Sequence, residues 1–281
     1  MFALKLISHL PLALLYIVGD LLYFMMYHVV GYRKEVVLTN LKKSFPAYTS
    51  EQREAIAREF YKRFGEYMVE SIKAISISAD EMKKRVRFVN TDVLEPFAEA
   101  GQSVILAGSH QFNWEWALLG GCLHLPFPVD AVYQKIRNEK FDKLMLKTRG
   151  RFGGQPIEKS NILRALLKTR ERQRAVAIMA DQSPRRHTVK YWTTFLHQET
   201  AFFLGPEQIA KALNYPVIMY KMTRRKRGYY NVEFVKLTDP PYDKDSHIIL
   251  DRYVAEVEKC INDTPSNYLW SHKRWKLSKE S

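Results

Sequence analysis

The sequence predicts an α/β fold, a mostly parallel central sheet flanked by helices, with an N-terminal apolar membrane-anchor helix. Five short apolar runs bounded by turn residues alternate with longer segments of helical period, the order that builds parallel sheets. One stretch at the start, Leu10 to Val30, is long and apolar enough to reach across a bilayer. No internal repeat, low-complexity tract or Pro/Gly/Ser linker marks a second folding unit. The expected organisation is therefore an anchor over residues 1–31 and a single α/β domain over 32–281.

Pro11, Gly19, Asp20 and His28 alone interrupt the apolar stretch. It is too long for the core of a cleaved signal peptide, and no small-x-small cleavage site follows it. At 100° per residue, Lys5, His9, Tyr16, Gly19, Asp20, Tyr23 and Tyr27 share one arc, with Leu6, Leu10, Leu14, Ile17, Leu21, Phe24 and Met25 opposite. One face therefore needs polar or aromatic company, and Asp20 should face protein or the interface, because a carboxylate among lipid tails costs about 3 kcal/mol. Arg33, Lys34, Lys42 and Lys43 follow and would keep the body cytoplasmic if the segment spans. Thr49-Ser50-Glu51-Gln52 is a capping-box pattern opening a helix to about Ile75. Strands are expected at Val104–Ala107, Val129–Tyr133, Ala175–Ala180, Val217–Met222 and Tyr229–Lys236, the last two joined by a hairpin turning at Arg224 to Gly228. Helices are expected at Trp114–Leu123, Asn138–Thr148, Asn161–Arg172, Pro206–Leu213 and Ile248–Asn262.

With 46% hydrophobic and 26% charged residues the 281-residue chain folds, which excludes disordered and collagen-like classes. Its net charge of +14 calls for an anionic partner: nucleic acid, phospholipid, an acidic protein or a phosphorylated substrate. Cys122 and Cys260, far apart and outside any Cys/His cluster, argue against structural zinc and a disulfide framework.

In such folds chemistry gathers where strands end and helices begin. The strand at Val104 runs into His110-Gln-Phe-Asn-Trp-Glu115, which sets an imidazole in a turn and a carboxylate at the start of a helix. A His/Glu dyad of this kind can take a proton from a substrate hydroxyl, the carboxylate fixing the tautomer and stabilising the imidazolium. A structural histidine would leave the same pattern. Lys135 to Arg174 holds 13 basic and 4 acidic residues, and within it Arg149-Gly-Arg-Phe-Gly-Gly154 sets two guanidinium groups in a glycine-rich bend suited to phosphate or an oxyanion. Asp181-Gln-Ser-Pro184 places another acid at a strand end, where a plain turn former is the alternative.

These residues resemble the lauroyl/myristoyl acyltransferases of lipid A biosynthesis, within the lysophospholipid acyltransferase superfamily. The resemblance runs through Asn40-Leu-Lys-Lys-Ser-Phe-Pro46, His110 to Glu115, Val132-Tyr133, Asp142 to Arg151, Ala180-Asp-Gln182, Cys260-Ile261, Thr264-Pro265, Tyr268-Leu-Trp270 and His272-Lys-Arg-Trp-Lys276. It implies transfer of an acyl chain from an acyl-carrier-protein thioester to a hydroxyl of a phosphorylated lipid, at the cytoplasmic face of the inner membrane. No cofactor or metal is implied. The family's dyad falls on His110 and Glu115, its arginine on Arg149 and its later acid on Asp181; Asn113, Lys135, Arg137, Arg151 and Gln182 are the expected substrate-binding residues. The chain departs where the family often has Tyr-Arg-Pro and this sequence has Tyr133-Gln134-Lys135, which either removes that arginine's role or moves it to Lys135 or Arg137. The Phe-Pro-Glu-Gly-Thr block of glycerol-phosphate acyltransferases is absent, which favours the lipid A branch; another lysolipid or an aminolipid stays open as acceptor, because the dyad serves any hydroxyl. A non-catalytic basic membrane scaffold would keep fold and charge but not need the dyad. A nucleic-acid-binding protein would explain the charge and nothing else.

Overall fold

In the computed structural model, which describes residues 1–279, the chain starts with five helices: α1 (Phe2–Ser8), α2 (Leu12–Phe24), α3 (Lys34–Ser44), α4 (Ser50–Lys73) and α5 (Ala79–Arg85). A wider π turn extends α2 through Val29. Next come β1 (Val86–Phe88), α6 (Glu95–Glu99), β2 (Val104–Gly108), α7 (Trp114–His124), β3 (Val129–Tyr133), α8 (Glu139–Arg149) and β4 (Ile157–Glu158). The remainder is α9 (Ile162–Lys168), β5 (Ala175–Met179), the hairpin β6 (Lys190–Phe195) and β7 (Gln198–Phe203), α10 (Gly205–Leu213), β8 (Val217–Lys226), β9 (Tyr229–Thr238) and α11 (Ile248–Asp263).

Seven strands form one sheet in the order β1-β9-β8-β2-β5-β3-β4, parallel except for the β8–β9 hairpin. The expected α/β class is therefore the observed one. β2 at the centre is buried along its whole length, as a strand covered on both faces must be. Its side chains alternate between two cores. Ile105 and Ala107 join a cluster with Phe60, Tyr61, Val257 and Trp270, while Val104 and Leu106 join Trp116, Ile218 and Met82 on the other face.

The polar arc of the N-terminal helix finds its company on α4. Thr49 and Gln52 close the capping box that starts α4. Gly19 and Gly65 then let the two backbones touch: a Cβ on Gly65 would collide with the Gly19 carbonyl. Tyr16 donates to Glu70 Oε1 at 2.7 Å, Tyr27 donates to Glu54, and Asp20 pairs with Arg227 at 2.5 Å. Leu12, Leu15 and Tyr27 enter the cores, so residues 1–31 pack onto the α/β body along their length.

The five expected strands and the turn before Gly228 are present, but β1, β4 and the β6–β7 hairpin were not legible. β1 and β4 are too short to show a period. The hairpin turns at Leu196 and His197, both at positive φ (49° and 63°), without the Asn or Gly that advertises such a turn. The helix expected over Asn161–Arg172 ends at Lys168, because Arg172 and Arg174 turn inward to the buried Asp130.

Candidate active site

β2 and β5 pair in parallel register, Gly108 opposite Met179. Residues two beyond each end therefore meet: His110 and Asp181. The His110 Nδ1 and Asp181 Oδ1 lie 2.7 Å apart, and the His110 backbone N–H donates to Oδ2 at 2.9 Å. An ionised carboxylate accepts only, so Nδ1 carries a proton, and in the neutral ring Nε2 is the nitrogen with the lone pair. Asp181 is fully buried, and burial alone would favour its neutral form. The His110 ring, the His110 backbone N–H and the nearby Arg274 outweigh that and hold the carboxyl below the usual carboxylate range. The His110 side chain remains 16% exposed.

The C-terminal segment braces this pair. Leu269 N–H donates to the His110 carbonyl, Phe112 N–H donates to the Asn267 carbonyl, and Phe112 is bent to a φ of 51°. The Tyr268 hydroxyl donates to the Asp181 carbonyl at 3.2 Å, and that of Tyr253 to the Gly108 carbonyl at 2.7 Å. Gly108 has no alternative, since a side chain there would enter the Tyr220 ring. Above His110 an aromatic cleft is lined by Phe60, Phe64 and Tyr67 of α4, with Trp114 and Tyr268. The His110 ring meets Trp114 edge-on at 5.0 Å.

Glu115 is not the partner of His110, which corrects the expected His/Glu dyad. Its carboxylate is bound twice by Arg149, Nε to Oε2 at 2.9 Å and Nη2 to Oε1 at 2.5 Å. The reason is helical geometry: Glu115 sits in the first turn of α7 and Arg149 ends α8, so each charge meets the favourable end of its own helix dipole. Burial alone would ease the proton off Arg149, but the bonded Glu115 raises its pKa instead.

Two expected substrate-binding residues are committed internally. Asn113 caps α7 through Trp116 N–H at 3.0 Å and donates to Glu70 at 2.8 Å; Arg151 donates to the Ala74 and Ile77 carbonyls at 2.6 and 2.7 Å. Lys135 and Arg137 are exposed on the loop after β3, and Gln182 is half-buried beside Asp181. Sequence reasoning singled out no role for His272 and Arg274, although both lie in the quoted His272-Lys-Arg-Trp-Lys276. His272 Nε2 accepts from Ser183 N–H at 3.1 Å, and burial with the neighbouring Arg274 brings its pKa down to about 4. Arg274 is buried with its guanidinium over the Phe202 ring at 4.4 Å, in the field of Asp181. Among the described residues no group of three or more His, Cys, Asp and Glu side chains is arranged to hold a metal.

A lipid A biosynthesis acyltransferase of Haemophilus influenzae (strain ATCC 51907 / DSM 11121 / KW20 / Rd) is 26% identical over 239 residues, 83% of this chain and 72% of the relative. The lipid A biosynthesis palmitoleoyltransferase of Escherichia coli (strain K12) is 23% identical over 246 residues, covering 87% and 79%. The lauroyltransferase of the same strain is 21% identical over 278 residues, covering 98% and 89%. The profile of the bacterial lipid A biosynthesis acyltransferases matches residues 1–277, and the chain belongs to that family.

Proposed function

We propose that the protein transfers a fatty acyl group from an acyl-carrier-protein thioester to a hydroxyl of a phosphorylated lipid A precursor, at the cytoplasmic face of the inner membrane. His110 is the general base, and Asp181, not Glu115, is the carboxylate that orients it. The observation that carries this reading is the pair of hydrogen bonds that the His110 ring and backbone N–H groups give to Asp181, which fixes the ring so that in its neutral form Nε2 is the free acceptor, on the side away from the carboxylate.

The acceptor hydroxyl gives its proton to Nε2 as its oxygen bonds to the thioester carbonyl carbon. Asp181 stabilises the imidazolium formed, and its low pKa keeps it charged for that task. The tetrahedral intermediate then collapses, the C–S bond breaks, and the imidazolium returns the proton to the departing thiolate. Phe64, Tyr67 and Trp114 beside His110 set an apolar wall against which the reactive end of an acyl chain can lie. Arg149 holds Glu115 through Nε and Nη2, and its Nη1 is the nitrogen it can offer to a negative charge of the substrate. Lys135 and Arg137, exposed and without an acidic partner among the described residues, suit the phosphates of the acceptor or the acidic carrier.

Single-turnover transfer of labelled acyl chains from carrier protein to detergent-dispersed lipid acceptors tests the reading. Transfer to a phosphorylated lipid A precursor, lost in folded His110→Ala, is the expected result. Absence of transfer from a carrier thioester to any hydroxyl-bearing lipid would refute it, and preference for another lysolipid would move the acceptor assignment.

A further inference from the structure

We infer that α1 and α2 lie flat in one leaflet of an anionic phospholipid bilayer, with the inner face of α2 docked on α4 and the N-terminus on the same side as the globular body. Length and composition alone would let residues Leu12–Val29 cross a membrane. Packing forbids it. α2 runs antiparallel to α4 from end to end: Lys73 and Ser76 donate to the Ser8 carbonyl, Tyr16 to Glu70, and Tyr27 to Glu54, with Gly19 against Gly65 between them. An upright α2 would draw α4 into the hydrocarbon with it, and α4 carries ten Glu, Lys and Arg side chains. Each such charge is costly there. Undocking α2 instead would strip Leu12, Leu15 and Tyr27 from the cores and leave Asp20 without Arg227.

The outer face points to lipid as the occupant. Leu6, Leu14, Ile17, Leu21 and Phe24 are each about half exposed or more and form one stripe along α1 and α2. Beside it an open groove holds Tyr23 and Phe24 of α2 with Arg58 and Lys62 of α4. Among the described residues neither cation is in an ion pair, whereas Glu59 in the same groove pairs with Arg63. An apolar stripe flanked by unpaired cations and aromatic rings is the pattern of a helix lying at a headgroup boundary. A second copy fits less well, since each copy brings a net charge of +14 and the groove's two carboxylates, Asp20 and Glu59, are already paired with Arg227 and Arg63.

The test needs no acyl transfer, so its failure is distinct from failure of the proposed reaction. Full-length protein with Cys122→Ala and Cys260→Ala is expressed in a Gram-negative host with either a Ser-Gly-Cys extension ahead of Met1 or Glu171→Cys, the latter 90% exposed on the body. In sealed inside-out membrane vesicles a membrane-impermeant maleimide should label both cysteines equally. Labelling of the N-terminal cysteine only after detergent would overturn the inference. Ile17→Glu with Leu21→Glu, both exposed and free of core contacts, should leave thermal unfolding unchanged and lower partition onto phosphatidylglycerol vesicles at least tenfold. Arg58→Glu with Lys62→Glu should weaken binding to those vesicles and not to phosphatidylcholine. Unchanged partition in the first pair, or a dimer by sedimentation that the first pair dissociates, would equally overturn it.

Discussion

Asp181→Asn separates the two carboxylates that sequence spacing cannot tell apart. In the native site both Asp181 oxygens accept, one from the His110 ring and one from the His110 backbone N–H. An asparagine offers one oxygen and one NH2 group in the same place. If the oxygen faces the ring, the NH2 opposes the backbone N–H; if it faces the backbone, the NH2 forces the ring proton onto Nε2 and the base is lost. Loss of the working tautomer in a buried carboxylate–histidine pair costs about 10³ to 10⁴ in turnover, or about 4 to 5.5 kcal/mol of barrier. Glu115→Gln leaves the His110 pair intact and still gives Arg149 one acceptor, so its effect on the chemical step should stay below about tenfold. The assay is single-turnover acyl transfer at saturating acceptor on folded proteins, together with both double variants carrying His110→Ala. Asp181→Asn should add nothing to His110→Ala, whereas the small effect of Glu115→Gln should persist beside it. Equal severity of the two carboxylate variants would refute the pairing argued here.

His110→Ala should lower turnover by about two to four decades with an unchanged melting profile, read by the same transfer assay. Gly65→Ala drives a methyl into the Gly19 carbonyl and should destabilise by about 1 to 3 kcal/mol in urea titration. Leu15→Ala, fully buried on the anchor helix, should cost about 2 to 5 kcal/mol, whereas an anchor independent of the body would lose nothing. His272 has its folded pKa at about 4 against 6.5 when unfolded, so only the unfolded chain takes up that proton as pH falls from 6.5 to 4. Its contribution is complete above that window and lost within it, and the fall in melting temperature between pH 7 and 5 should be smaller in His272→Gln.

What the sequence made legible is what depends on neighbours along the chain. The capping box at Thr49, the polar arc of α2 and the central strands are patterns over a few residues, and each is in place. The hairpin at Leu196–His197 was invisible because its turn is held by tertiary packing and not by turn chemistry. The basic tract misled for a related reason. A count of charges does not say which are spent inside, and Arg149, Arg151, Arg172 and Arg174 are bound to Glu115, backbone carbonyls and Asp130.

The choice of carboxylate shows where local reading stops. Glu115 is five residues from His110 and lies in the first turn of α7, where its side chain is carried toward the end of α8 and away from the ring. Asp181 is 71 residues away, and a parallel register alone brings it near. With Gly108 opposite Met179, the residues two positions beyond each strand face each other across the sheet's end. A one-residue slip of β5 would exchange its side chains between the two cores and move Asp181 off the histidine. The register is held by burial of Ala175, Val176 and Ile178 against the two cores, so the chemistry of the site rests on apolar residues that touch no substrate.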